Sequence, residues 1–206
     1  MVDFLASLDD HAQMVECLRD LLPDLRAAAR ELCALMARGG RLLVCGNGGS
    51  AADAQHMAAE LVGRFARERR PLPALALTTD SSILTSVGND YGFDTVFSRQ
   101  VEALGRPGDA LLVLSTSGHS PNIIAALDKA RSMGLLTVGL GGKDGGSMAG
   151  LCDHLLVVPS HQTPRIQEGH GLLVHLLCDW IEAAMLQPHP TCSEGTQTHR
   201  SVGEGP

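Results

Sequence analysis

The stretch Leu42-Leu43-Val44-Cys45-Gly46-Asn47-Gly48-Gly49-Ser50-Ala51-Ala52-Asp53-Ala54-Gln55-His56 decides how the rest of the chain is read. Four apolar residues in a row, without alternation, suit a strand covered on both faces, as in a parallel sheet. The glycines let the backbone turn sharply, and a helical segment over about 50–66 follows. Strand, glycine turn and helix make the first βα unit.

The same alternation repeats downstream. Pro73 to Leu77, Ala110 to Leu114, Leu136 to Leu140 and Leu155 to Val158 read as four more buried strands. Helical segments are predicted at about 81–104 and 120–133, a short one near 146–151, and a last one from Arg165 to Leu186. Upstream, Leu5 to Leu22 and, after Pro23, Leu25 to Met36 repeat at helical spacing, and Gly39-Gly40 stops the second helix. The expected fold is α/β: a doubly wound, five-stranded parallel sheet flanked by helices, with right-handed crossovers, N-terminal helices and a long C-terminal helix. One domain over residues 1–190 is expected, followed by a disordered tail over 191–206.

Composition narrows the function. The 206 residues are 44% hydrophobic but only 3% aromatic, so the core is aliphatic. A net charge of −7, with no basic run beyond Arg64, Arg67, Arg69 and Arg70, argues against nucleic-acid binding. Those arginines read as a solvated face or an oligomer contact. The six cysteines form no C-x-x-C pair, which suits reduced thiols in the cytoplasm. No basic, apolar leader opens the chain, and no run reaches the roughly 18 apolar residues of a membrane span.

In a parallel α/β sheet, ligands bind at the carboxyl ends of the strands. Asn47, Gly48, Gly49 and Ser50 lie at the first such end, where free helix N–H groups meet an anion and Ser50 can cap the helix or bind the ligand. A dinucleotide fingerprint is the rival reading, but the second strand ends at Thr78-Thr79-Asp80, about ten residues late for the ribose-binding acid. The third strand ends in Ser115-Thr116-Ser117-Gly118-His119-Ser120-Pro121-Asn122. Capping needs one hydroxyl; the others suit a phosphate dianion. Gly141 to Gly146 reads as a tight turn, with Lys143 in reach of an anion. His56 and Glu60, four apart, share a helix face and suit either a metal or acid/base work. His175 stands in the apolar run Leu172 to Leu177 and reads, on residues alone, as a core histidine.

Four segments in order, GNGGSAADAQHMAAELVGRF from Gly46, GNDYGFDTVFSRQV from Gly88, STSGHSPN from Ser115 and RIQEGHGLLVH from Arg165, closely resemble phosphoheptose isomerases of the sugar-isomerase (SIS) domain superfamily. The resemblance runs to about residue 186. It implies conversion of sedoheptulose 7-phosphate to D-glycero-D-manno-heptose 7-phosphate through an enediol, the first step of ADP- or GDP-heptose biosynthesis. It implies that Asn47, Gly48, Gly49, Ser50, Asn89 and Asp90 line the substrate, and that Ser115, Thr116, Ser117 and Ser120 hold its phosphate. It further implies one zinc ion per subunit on His56, Glu60, Gln167 and His175, with Glu60 and His175 as the acid/base pair and Gln167 also near substrate.

Gln167 and His175 are eight apart, about 12 Å along a straight helix, too far to share a zinc with bonds of roughly 2 Å. Either Gln167 precedes the regular helix, or the site is completed across a subunit boundary. The second is expected, since the resemblance implies a homotetramer with interface sites. The alternatives are an isomerase of another sugar phosphate and a non-catalytic SIS module that associates with the replication initiator. An intact Glu60–His175 pair speaks for the enzyme, because only catalysis needs ionisable groups there.

Overall fold

A computed structural model describes residues 3–186, so the tail expected over 191–206 lies outside the described residues. Helix α1 (Phe4–Cys17) runs through a 3-10 turn into α2 (Leu22–Ala37), with Pro23 in the first turn of α2. Proline suits that place because its missing N–H would have no intrahelical partner there. Then come β1 (Leu42–Gly46), α3 (Gly49–Val62), β2 (Ala74–Ala76), α4 (Ser81–Tyr91) and α5 (Ser98–Leu104). The chain closes with β3 (Ala110–Ser115), α6 (Pro121–Ser132), β4 (Leu136–Gly142), β5 (His154–Val158) and α7 (Thr163–Leu186).

All five strands pair in parallel, in the order β2-β1-β3-β4-β5. Leu42 and Val44 of β1 pack into the core beneath α1, α2, α3 and α7. Leu43 and Cys45 point the other way, into the core beneath α5 and α6. All four are fully buried, which is why the strand lacks alternation. Each fully buried aliphatic side chain contributes about 1.5–3 kcal/mol. The order reverses between β1 and β3, and the loops leaving those two strands are where a ligand is expected.

Two expectations are corrected. The helix predicted over 81–104 is broken: Gly92 takes φ 87°, a 3-10 turn covers Phe93–Thr95, and α5 starts afresh at Ser98. A glycine at positive φ, a conformation that other residues rarely adopt, ends α4 where the polar and apolar residues alone suggest continuation. The second strand is a short edge strand, and Leu75 is 44% exposed, so that edge is not covered on both faces.

Candidate active site

Gly48 is the N-cap of α3 with φ 58°, and no side chain caps that helix. Ser50 is therefore not the cap that its position suggests. It lies in the first turn and is buried. At α6 the N-cap is Ser120, and it too makes no side-chain cap. Its hydroxyl instead lies 3.4 Å from Ser115 Oγ, which also accepts the Gly118 N–H at 3.2 Å. By contrast, Asp3 and Asp80 cap α1 and α4 through their carboxylates. The two helices at the strand-order reversal thus keep N-terminal N–H groups free of side-chain caps, which suits an anionic ligand.

The two loops are locked together. Asn47 Nδ2–H donates to Asn122 Oδ1 at 2.9 Å, and Asn122 Nδ2–H donates back to Asn47 Oδ1 at 2.9 Å. Asn122, 2% exposed, is a positioning residue that sequence reasoning did not single out. Nothing local signals it, since the two residues are 75 positions apart. The 141–146 segment is a tight turn, as expected, with Lys143, Gly145 and Gly146 all at positive φ. It backs the 115–120 loop, leaving no room for a side chain at Gly118.

His56, Glu60 and His175 meet in one chain. His56 Nε2 is 3.0 Å from Glu60 Oε1 and 3.4 Å from His175 Nε2. The His56 and His175 rings stand edge to face at 85°, and Phe65 packs against His175 with ring centroids 5.5 Å apart. The core reading of His175 is overturned: it is exposed on α7, and His170 is the buried histidine of that helix. His170 bonds to the Gly141 carbonyl through Nε2 at 2.9 Å, and burial pushes its pKa down against that hydrogen bond, keeping it neutral. Glycines at 169 and 171 flank it, so an apolar run on one helix contains both a core and a surface histidine.

Gln167 does not join this group. It lies inside α7, which removes the possibility that it precedes the regular helix. Its amide rests on the glycine loop, where a Cβ at Gly49 would sit 1.9 Å from Gln167 Nε2. Helices α3 and α7 pack side by side, with Gln167 beside Gly49 and His175 beside His56. The two stations are about 10–12 Å apart along the axes. A cleft of roughly 370 Å³ beside Gln167 is lined by Asp53, Pro164, Glu168 and Gly171. Burial raises the Asp53 pKa, opposed by the nearby His56.

Gly49 is not at positive φ, so Gly49→Ala is expected to fold normally. The methyl displaces Gln167, and the loss of about one hydrogen bond predicts a roughly tenfold rise in KM for the substrate. Thermal melting beside steady-state kinetics checks this, and an unchanged KM would remove Gln167 from the substrate set.

Among the described residues no three His, Cys, Asp or Glu side chains form a ready-made metal cage. His56 links Glu60 and His175 in a chain. The donor types nevertheless suit zinc, two imidazole nitrogens and a carboxylate oxygen, and the two separations from His56, 3.0 Å to Glu60 and 3.4 Å to His175, are close to the roughly 3.3 Å edge of a tetrahedron with bonds of 2.0–2.1 Å. Two Nε2 atoms at 3.4 Å otherwise make only a long hydrogen bond. Asn89 and Asp90 lie exposed on the last turn of α4, where Asn89 Nδ2–H donates to Asp90 Oδ1 at 2.7 Å. No hydrogen bond among the described residues ties them to the other site residues. Of the four arginines, Arg69 is not on a solvated face but buried.

The model of the SIS domain family matches residues 8–142. A phosphoheptose isomerase of Pelobacter propionicus is 55% identical over 184 residues, covering 89% of this chain and 97% of that protein. The solved phosphoheptose isomerase of Neisseria gonorrhoeae superposes with a TM-score of 0.83 at 45% identity, covering 87% of this chain and 96% of that one. A phosphoheptose isomerase structure from Francisella tularensis gives a TM-score of 0.84 at 40% identity, over 86% and 95% of the two chains.

Proposed function

The chain belongs to the phosphoheptose isomerase family of SIS-domain proteins, and from that premise we propose how its site isomerises sedoheptulose 7-phosphate to D-glycero-D-manno-heptose 7-phosphate. The chain is an aldose–ketose isomerase. The observation that carries the mechanism is the meeting of Glu60, His56 and His175, since the two histidines are 119 positions apart and a binding module has no use for them.

The phosphate rests on Ser115, Thr116, Ser117 and Ser120, with free N–H groups at the start of α6. The sugar lies along Asn47, Gly48, Gly49 and Ser50, with Gln167, Asn89 and Asp90 beside it. Glu60 takes the proton from C1 and returns it to C2. His175 gives a proton to the C2 carbonyl oxygen as the cis-enediol forms, and receives one from the C1 oxygen as the aldehyde appears. His56, Glu60 and His175 would hold a zinc ion. When bound, the ion supplies a Lewis acid for the substrate oxygens.

In one chain this acid/base group is open, with the His56 side chain 43% exposed and Glu60 22%. Proton transfer to carbon benefits from excluding water, which supports a site closed by a second subunit, with a partner subunit's Gln167 completing the metal shell. Apolar surface is available on several faces for a homotetramer. Phe4, Leu5 and Leu8 of α1 are exposed, and α4 has no buried residue. A groove of roughly 510 Å³ between α2 and α7, lined by Leu22, Leu25, Leu176 and Trp180, contains none of the catalytic residues and suits a subunit contact. No described helix is long and apolar enough to cross a membrane. A cytoplasmic location accords with the five described cysteines being unpaired.

Turnover of sedoheptulose 7-phosphate by the purified protein tests the reading. Stripping metal with a chelator is expected to lower kcat more than about tenfold, with recovery on adding zinc. Undiminished turnover by the stripped enzyme would reduce the ion to an ordering role at most.

A further inference from the structure

Helix α7 carries one more carboxylate, and it points into the protein. Glu182 is fully buried two helical turns beyond His175. Its oxygens accept the backbone N–H groups of Phe65, Ala66 and Arg67 at 2.9, 2.9 and 2.8 Å. Arg69, with its side chain 2% exposed, places Nε 3.6 Å from Glu182 Oε1. Burial pushes the Glu182 pKa up, but the three amide bonds and Arg69 outweigh it and hold the group below the usual carboxylate range.

The other end of Arg69 reaches the catalytic helix. Its Nη2–H donates to the Glu60 carbonyl at 2.6 Å, and Nη1 donates to Leu61, Gly63 and Arg70 carbonyls at 2.8, 3.0 and 3.0 Å. The last carbonyls of a helix have no intrahelical partners, and a cation there also meets the negative end of the helix dipole. Arg69 is thus a buried cap on the end of α3, and Glu182 is its counter-charge. The segment pinned by Glu182 begins with Phe65, the ring that packs against His175.

We infer that Glu182 and Arg69 are positioning residues of the isomerisation: together they fix the end of α3 that bears Glu60 and seat Phe65 against the His175 ring. The pair sets where the two proton-moving groups stand relative to each other, without touching substrate. This rests on Glu60 and His175 as the acid/base pair. In Glu182→Gln an amide group faces backbone donors with one oxygen only, and Arg69 is left as a buried, uncompensated charge. The α3 end and Phe65 then lose their fixed place. Misplacement of a reacting group by about 1 Å costs up to roughly a hundredfold in rate.

The test compares Glu182→Gln, Phe65→Leu and their double variant with the parent, and runs His175→Gln alongside. Phe65→Leu keeps apolar volume and no charge, so it reads the same link if Glu182→Gln does not fold. The expected result is a ten- to hundred-fold fall in kcat in each single variant, roughly, with KM changed less than about threefold. The double variant is expected to lose less than the product of the two single losses, because Glu182 acts in part through Phe65 and in part through Arg69 and the end of α3. A kcat within about twofold of the parent in folded Phe65→Leu or Glu182→Gln, or losses that multiply in the double variant, overturns the inference. If His175→Gln is inactive while those variants match the parent, only the positioning role fails. A fully active His175→Gln defeats the acid/base assignment and this inference with it.

Discussion

Glu60→Gln is expected to bind sedoheptulose 7-phosphate and to turn it over about 10²–10⁴-fold more slowly than the parent. The substitution is nearly isosteric, and Glu60 is a partly exposed side chain, so the fold has no reason to suffer. What changes is the capacity to accept a proton from carbon. An amide has no basic lone pair at neutral pH, whereas a carboxylate 3.0 Å from His56 is ready to act. Exchange of the C1 hydrogen with deuterated solvent separates the steps. Loss of exchange together with turnover, at unchanged zinc content, identifies Glu60 as the carbon base. Turnover reduced less than tenfold would assign the base elsewhere, with His175 the next candidate.

Gly118→Ala has the largest expected effect on the folded state. Gly118 sits at φ 68°, and a Cβ there would lie 2.2 Å from the Gly145 carbonyl oxygen and 2.6 Å from its carbon. These are backbone atoms, and a Cβ at Gly146, φ 55°, would in turn lie 2.8 Å from the Gly118 carbonyl, so neither loop can retreat. A left-handed alanine costs about 1–2 kcal/mol by itself, and the clash brings the total to roughly 3–5 kcal/mol. The Gly118 N–H bond to Ser115 Oγ is lost with the loop, so sugar-phosphate affinity is expected to fall as well. Gly48→Ala is the control. Gly48 has φ 58° and ψ −121° but nothing within 4 Å of its Cβ position, so only the backbone cost of about 1–3 kcal/mol applies. Denaturant midpoints of the two variants decide the matter: equal midpoints would mean that the contact between the two loops carries no stability.

The central strands β1 and β3 were legible because each is an unbroken apolar run, and burial on both faces is what such a run demands. Leu42 to Cys45 and Ala110 to Leu114 occupy the expected central strands. The glycine loop and the serine loop were legible because turns and helix starts are local chemistry. The pairing of His56 with Glu60 was legible for the same reason, since four residues is one helical turn. The break at Gly92 was missed, because a glycine within a mixed segment signals a stop only when its φ is known.

The depth of a side chain was not legible. His170 and His175 belong to one apolar helix, and which of them is buried depends on what packs on each side. Arg69 read as one of four surface cations, and its burial follows from the carbonyls of α3 and the carboxylate of Glu182, neither of which is its neighbour in the chain. Asn47 and Asn122 are bound as partners only because β1 and β3 lie adjacent in the sheet. Sequence by itself determined the elements, their order and the residue types offered at each strand end, because those follow from local periodicity and turn chemistry. Tertiary structure alone decided which of them meet, because α3 and α7 come together through hydrophobic burial. That force acts on area and not on sequence distance, so it set Gln167 against Gly49 and His175 against His56.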